Sequence, residues 1–226
     1  MMNIDEINET NKIGYNKIAM EFDDKHRPTT KNFHELSIPF FDYILSNVIE
    51  KKMKVLEVGA GNGWLRKRFR WPEVDYLSVD IAENMEGNIV ASVDSLPFAD
   101  ESFDYVFSSL GDPFFYKEAL QEICRVLKTG GKFIFSTPDY EWASQSRGTD
   151  MMNTFSKDGK KVAVYSFTYN NEQMREVWGE CGFHPFTIQQ WYPEMLQDEI
   201  AGDIAKVWRK KCNKSISVIT TAIFEK

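Results

Sequence analysis

The segment Val55-Leu56-Glu57-Val58-Gly59-Ala60-Gly61-Asn62-Gly63 constrains this chain more than any other. An apolar run of strand character ends in an acid and breaks into alternating glycines. A glycine turn between a strand and a helix exposes backbone N–H groups to a ligand, because no Cβ stands in the way. A second apolar run, Tyr76-Leu77-Ser78-Val79, also ends in an acid, Asp80. A carboxylate at the tip of a neighbouring strand can accept two hydrogen bonds from a ribose diol. Turn and acid together point to a nucleoside-bearing ligand; a tight turn with no ligand leaves Asp80 unexplained.

The glycine spacing is G-x-G-x-G, not the G-x-G-x-x-G of dinucleotide binders. Glu57, two residues ahead of the first glycine, would repel a pyrophosphate. It suits the cationic head group of an amino acid.

The 226 residues fit one α/β domain, and 42% hydrophobic residues are enough to build its core. A net charge of −7 argues against DNA or RNA as partner. Cys124, Cys181 and Cys212 are scattered and lack metal-ligand spacing, which implies a reducing compartment and no metal. No apolar run approaches the roughly 18 residues of a membrane span, and the N-terminus has no signal-peptide pattern. The expectation is a cytoplasmic protein with no membrane partner.

The first fifty residues read as two helices. Tyr15, Ile18, Ala19 and Phe22 share a face of the first. Ser37 is placed to cap the second, with Pro39 in its first turn, and the polar stretch 23–31 joins the two. From residue 53 strand and helix alternate, with strands expected at 54–58, 74–79, 88–92, 103–108 and 131–136. A helix is expected over 115–128, closed by Gly130. Between Asp80 and Ile89 there is room for only a turn or one helical turn. Residues 138–166 are less regular. A helix at 171–181, a strand at 184–191, a long helix at 194–210 and a strand at 215–224 complete the chain. The alternation implies a mostly parallel sheet with helices on both faces.

Two further stretches complete the pattern: Val90 to Val106, containing Ser92-Val93-Asp94, and Gln121 to Phe133, containing Thr129-Gly130-Gly131. With them the chain resembles the class I S-adenosylmethionine-dependent methyltransferases, in their small-molecule branch of methyltransferase type 11. Four blocks match in order: 54–63, 76–81, 90–108 and 119–136. The resemblance implies a Rossmann-like seven-stranded sheet, mostly parallel with its last strand antiparallel. The N-terminal helices and an insert after the fifth strand would form a lid. It implies S-adenosylmethionine as cofactor, with Glu57, Gly59, Ala60 and Gly61 along its methionine end. Asp80 would bind the ribose, Ile81 would pack on the adenine, and the backbone at Val93 would meet the adenine edge. Ser108 would lie beside the sulfonium. The chain departs from the family at Ser92, where an acid usually faces the adenine amino group; Asp94, two residues on, is the other candidate. Thr129 replaces the usual proline before Gly130, and the helix after the second strand is cut short.

One domain is expected over 1–226. Its parts would be a helical lid at 1–40, a cofactor half at 41–137, an insert at 138–170 and a substrate-side half at 171–226. The expected activity is methyl transfer to an O, N or C atom of a small molecule, giving S-adenosylhomocysteine. Such chemistry needs in-line placement and exclusion of water, and a base only if the acceptor must lose a proton. No acid–base set is evident, so a non-catalytic binding member of the fold is the alternative. A nicotinamide oxidoreductase is a third reading, opposed by the glycine spacing and Glu57. His26 and Asp112 are the substrate-side candidates, and Tyr15 is the lid residue expected to touch cofactor or substrate. Asp112-Pro113-Phe114 loosely echoes the Asn/Asp-Pro-Pro-aromatic motif of amino-group methyltransferases. It reads better as a turn feeding a helix, with Asp112 as N-cap. His34 and His184 read as structural or exposed. A homodimer is compatible with the sequence.

Overall fold

The computed structural model describes residues 3–18, 27–85, 87–156, 159–196, 200–210 and 216–226. A sheet of seven strands runs through its centre, in the order β3-β2-β1-β4-β5-β9-β8. The strands are β1 (Lys54–Val58), β2 (Asp75–Asp80), β3 (Ile89–Val90), β4 (Phe103–Ser109), β5 (Leu127–Pro138), β8 (His184–Trp191) and β9 (Ile219–Glu225). From β3 to β5 all neighbours are parallel, and β9 runs antiparallel between β5 and β8. This is the sheet the family resemblance implies.

Alternation along the strands sorts the core to the two faces. Phe133, Phe135, Ala222 and Phe224 pack with α4 (Lys117–Val126) and α6 (Asn171–Glu180). Val55, Phe107, Ile134 and Ile223 pack with α2 (Pro28–Asn47) and α3 (Trp64–Arg68). The remaining elements cover the C-terminal ends of the parallel strands. Helix α1 (Ile4–Ile18) lies on a hairpin of β6 (Met151–Phe155) and β7 (Lys161–Tyr165). The approach is close at Gly14, where a Cβ would come within 2.4 Å of Val164 Cγ1. Asn11 stitches the layers, donating to the Pro113 carbonyl (3.0 Å) and accepting from the Tyr165 N–H (2.7 Å).

Several boundaries differ from the sequence reading. Helix α2 begins at Pro28, so Pro39 lies inside it and Ser37 caps nothing; its hydroxyl donates to the His34 carbonyl (2.8 Å). Helix α4 stops at Val126, because Leu127 is already extended and pairs with Phe103. Gly130 therefore lies within β5, where its N–H donates to the Lys226 carbonyl (3.0 Å). The irregular stretch 138–166 holds α5 (Tyr140–Ser146), whose N-cap Asp139 accepts from the Glu141 N–H, and then the β6–β7 hairpin.

The long helix expected at 194–210 is broken. A 3-10 turn spans Pro193–Met195, and α7 runs over Gly202–Lys210, starting at a left-handed glycine (φ +58°). Its first N–H groups are met by α2: Asn32 accepts from Ala201 N (2.8 Å) and Thr29 from Asp203 N (2.9 Å). Among the described residues no helix is long and apolar enough to cross a membrane.

Candidate active site

The β1 strand ends in the glycine turn, and the glycines do different work. Gly59 (φ +63°) packs against the 3-10 turn Asp112–Phe114; a Cβ there would lie 2.6 Å from Phe114 Cε1. Gly61 (φ +52°) faces open space, with nothing within 4 Å of a Cβ position. Asp80, at the tip of β2, braces the turn. Its Oδ2 accepts from the Gly61 N–H (2.7 Å) and its Oδ1 from the Ala82 N–H (2.8 Å). Burial raises the Asp80 pKa, and the backbone N–H groups of Ala82, Gly61 and Ile81 work against that rise.

Glu57 is 2% exposed. Burial pushes its pKa up to about 8, opposed by a hydrogen bond from the Tyr76 hydroxyl and reinforced by the nearby Asp80 charge. An unsolvated carboxyl at the base of a glycine turn favours a cationic partner.

Glu57, Gly59, Ala60, Gly61, Asp80, Ile81, Ser92 and Val93 all line one cavity of about 440 Å³, a size that suits a small ligand. Asp94 stands behind this wall: its carboxylate accepts from the Ser92 hydroxyl and from Asn8 Nδ2 (3.0 Å), and Tyr116 Oη donates to Asn8 Oδ1 (3.0 Å). Asn8 and Tyr116 themselves line the cavity. Ser108 is wholly buried and not part of the lining, whereas Ser109 and Leu110 are. Successive side chains alternate along β4, which turns Ser108 away from a cavity that Ser109 reaches.

The cavity continues beneath the lid. Tyr15 lines it from α1, and burial raises the Tyr15 pKa, helped by the charge of Asp112. Asp112 also lines it, but not as a helix cap: Gly111 holds the capping position of the 3-10 turn, and α4 begins after Tyr116. The Asp112 carboxylate instead takes Arg147 Nη2 (3.1 Å) and the Ser166 hydroxyl, both from the insert. His34 is buried, lines the cavity and stacks on Trp64 at 4.0 Å, whereas His184 is exposed on β8. The His26 candidate and Phe22 lie outside the described residues. Among the described residues no group of three or more His, Cys, Asp or Glu could hold a metal.

Arg27, Trp142, Arg147 and Thr154 complete the lid side of the cavity, and of these the sequence reading left Arg27, Arg147 and Thr154 unnamed. Arg147 lies 5.4 Å from the Trp142 ring centre, and Arg27 donates to the Thr154 hydroxyl. The polar, irregular composition of 138–166 signals an insert without saying which residue turns inward.

Residues 56–135 match the methyltransferase domain family. A malonyl-[acyl-carrier protein] O-methyltransferase of Methylococcus capsulatus is 34% identical over 101 residues, 37% of this chain and 37% of that enzyme. The chain spans under half the length of the first curated relatives it matches. An uncharacterized protein of Methanocaldococcus jannaschii is 26% identical over 196 residues, 75% of this chain and 74% of that protein. Among solved structures, geranyl diphosphate C-methyltransferase from Streptomyces coelicolor superposes with a TM-score of 0.62 at 12% identity, covering 91% of this chain and 85% of that one. The fold is therefore that of a Rossmann-like methyltransferase. Residues 56–135, about a third of the chain, match that methyltransferase domain, and the fold around them is the one these solved structures share.

Proposed function

We propose that this protein transfers the methyl group of S-adenosylmethionine to an O, N or C atom of a small-molecule acceptor, leaving S-adenosylhomocysteine. One observation carries the reading. Asp80 and the open, left-handed Gly61 stand side by side at the mouth of a cavity whose floor is the desolvated Glu57. A ribose diol, a backbone-contacting amino-acid chain and an ammonium group are the three features this donor set fits.

In this reading Glu57, Gly59, Ala60 and Gly61 hold the methionine end, Asp80 holds the ribose, and Ile81, Ser92 and Val93 border the adenine. When bound, the cofactor supplies an activated methyl carbon, so the protein has chiefly to orient the acceptor and keep water out. Tyr15, Trp142, Phe114 and the β6–β7 hairpin close the cavity over that point. The matched relatives act on acceptors as different as a carrier-bound malonyl group and geranyl diphosphate, to judge by their names. The part of this chain that would choose the acceptor, α1 with the insert, lies outside the matched domain. We place the enzyme in the cytoplasm on the strength of its free thiols Cys124 and Cys181.

Calorimetric titration with S-adenosylmethionine, S-adenosylhomocysteine and NAD tests the proposal. Micromolar binding of both adenosyl ligands and none of NAD is expected. Binding of NAD alone would make the chain an oxidoreductase, and binding of none would leave the glycine turn a purely architectural feature.

A further inference from the structure

Asp112 is 4% exposed, and its two oxygens are unequally used. Oδ2 carries both the Arg147 Nη2 bond (3.1 Å) and the Ser166 hydroxyl. Oδ1 receives no hydrogen bond from the described residues, and Asp112 is one of the residues that line the cavity. A nearly buried carboxylate oxygen with an unused lone pair is expensive unless a ligand completes it.

The surroundings hold it in place. The Arg147 side chain is only 10% exposed and lies against Trp142, so the pair cannot swing away into solvent. The Asp112 carbonyl accepts from the Phe167 N–H (2.7 Å), which fixes the backbone to the insert. The same 3-10 turn presses Phe114 on Gly59, which brings Asp112 beside the methionine end of the cavity. Tyr15 lies within electrostatic reach of both Asp112 and Asp80, which ties the carboxylate to the cofactor half.

Resting on the methyl-transfer reading, we infer that Asp112 Oδ1 receives an N–H or O–H of the methyl acceptor. The acceptor would then be an amine, an amide or a hydroxyl compound. A bare carboxylate would bring like charge against Oδ1 with no proton to share. On methylation the acceptor's lone pair forms the new bond to carbon and the sulfur keeps the pair of the broken one. The proton the acceptor sheds passes to Oδ1 and leaves to solvent through the cavity. Asp112 then acts as hydrogen-bond acceptor and proton acceptor, with Arg147 and Ser166 as its positioning residues.

Sinefungin tests this without knowing the acceptor, because it carries an aminated carbon where the cofactor carries its methylsulfonium. Its amine presents N–H donors at the point of transfer. Calorimetry on the wild type and on Asp112→Asn, each with S-adenosylhomocysteine and with sinefungin, reads the contact directly. The wild type is expected to prefer sinefungin by about tenfold, the ~1.4 kcal/mol of a charge-assisted hydrogen bond. In Asp112→Asn that preference should fall to about twofold or less, with S-adenosylhomocysteine affinity unchanged. The same preference in both proteins would overturn the inference while leaving the cofactor reading intact. Binding of neither ligand to the wild type would remove the cofactor reading, and the inference with it. Should the variant not fold, a crystal structure of the wild type with sinefungin decides. The amine within about 3.2 Å of the Asp112 carboxylate supports the inference, and the amine bonded elsewhere overturns it.

Discussion

Tyr76 on β2 donates its hydroxyl to the Glu57 carboxyl on β1, the same carboxyl that lines the cavity. The two strands are parallel neighbours in register Val55↔Tyr76 and Glu57↔Ser78, so the phenol reaches diagonally across one step of the ladder. The bond satisfies Glu57, but it does not solvate it, and burial dominates its proton affinity.

A linkage follows. With a pKa of about 8, Glu57 is mostly protonated at pH 7 in the ligand-free protein. A ligand ammonium beside it favours the charged form. S-adenosylhomocysteine binding at pH 7 should therefore release most of one proton, and that release should fall away as the pH rises past 8. The binding enthalpy measured in phosphate and in Tris at pH 7 should differ accordingly. Equal enthalpies in the two buffers would rule the linkage out.

The same group sets a stability trend. Its pKa rises from 4.5 to about 8 on folding. The folded state therefore keeps a proton that the unfolded chain gives up between those values. The Glu57 contribution is fully present below pH 4.5 and is lost as pH rises through 8. Glu57→Gln should be less pH-sensitive in urea melts over that window and should gain on the wild type toward pH 9. Parallel stability curves for the two proteins would contradict the burial of an uncharged Glu57.

The cofactor half was legible because its signals are local: a strand, a glycine turn and an acid follow each other within a few residues. Gly59, Gly61 and Asp80 could be named from order alone. Asn8, Arg147 and Thr154 could not, because each reaches the cavity through contacts across the fold. The Asn8–Asp94 bond spans 86 residues and the Arg27–Thr154 bond spans 127. The broken helix before Gly202 was hidden for the same reason, since Thr29 and Asn32 of α2 supply its caps. Asp112 was misread as a cap, because local chemistry is silent about Arg147.

Pro39 offers a test of the fold rather than the site. It is exposed in the interior of α2, where it removes one backbone donor from the helix. Pro39→Ala should stabilise the protein by about 2 kcal/mol, the interior-helix cost of proline less the entropy it takes from the unfolded chain. A loss of stability would mean that the ring packs in a way the exposure denies.

Trp178 is fully buried at the centre of an aromatic cluster, 4.9 Å from Phe115 and 5.6 Å from Phe135 between ring centres. Its indole N–H has no hydrogen-bond partner among the described residues. Packing, not hydrogen bonding, is then its contribution. Trp178→Ala should cost about 3–5 kcal/mol. Trp178→Phe should cost clearly less, because it deletes volume but also an unsatisfied donor. Equal losses in the two variants would assign the indole N–H a partner.

The two glycines of the turn separate folding from binding. A Cβ on Gly59 meets Phe114 at 2.6 Å, whereas a Cβ on Gly61 meets nothing within 4 Å. Both backbones are left-handed, so alanine at either costs about 1–2 kcal/mol of strain. Gly59→Ala adds a steric clash to that and should lower the melting temperature by several degrees more than Gly61→Ala. Gly61→Ala should keep the fold while its methyl group enters the space along which the cofactor meets the backbone, so S-adenosylhomocysteine affinity should fall tenfold or more, about 1.4 kcal/mol. Thermal melts with and without S-adenosylhomocysteine read both effects at once. A Gly61→Ala variant that melts as low as Gly59→Ala would mean the turn is closed by packing at both positions. One that keeps full affinity would mean the cofactor does not approach the backbone there.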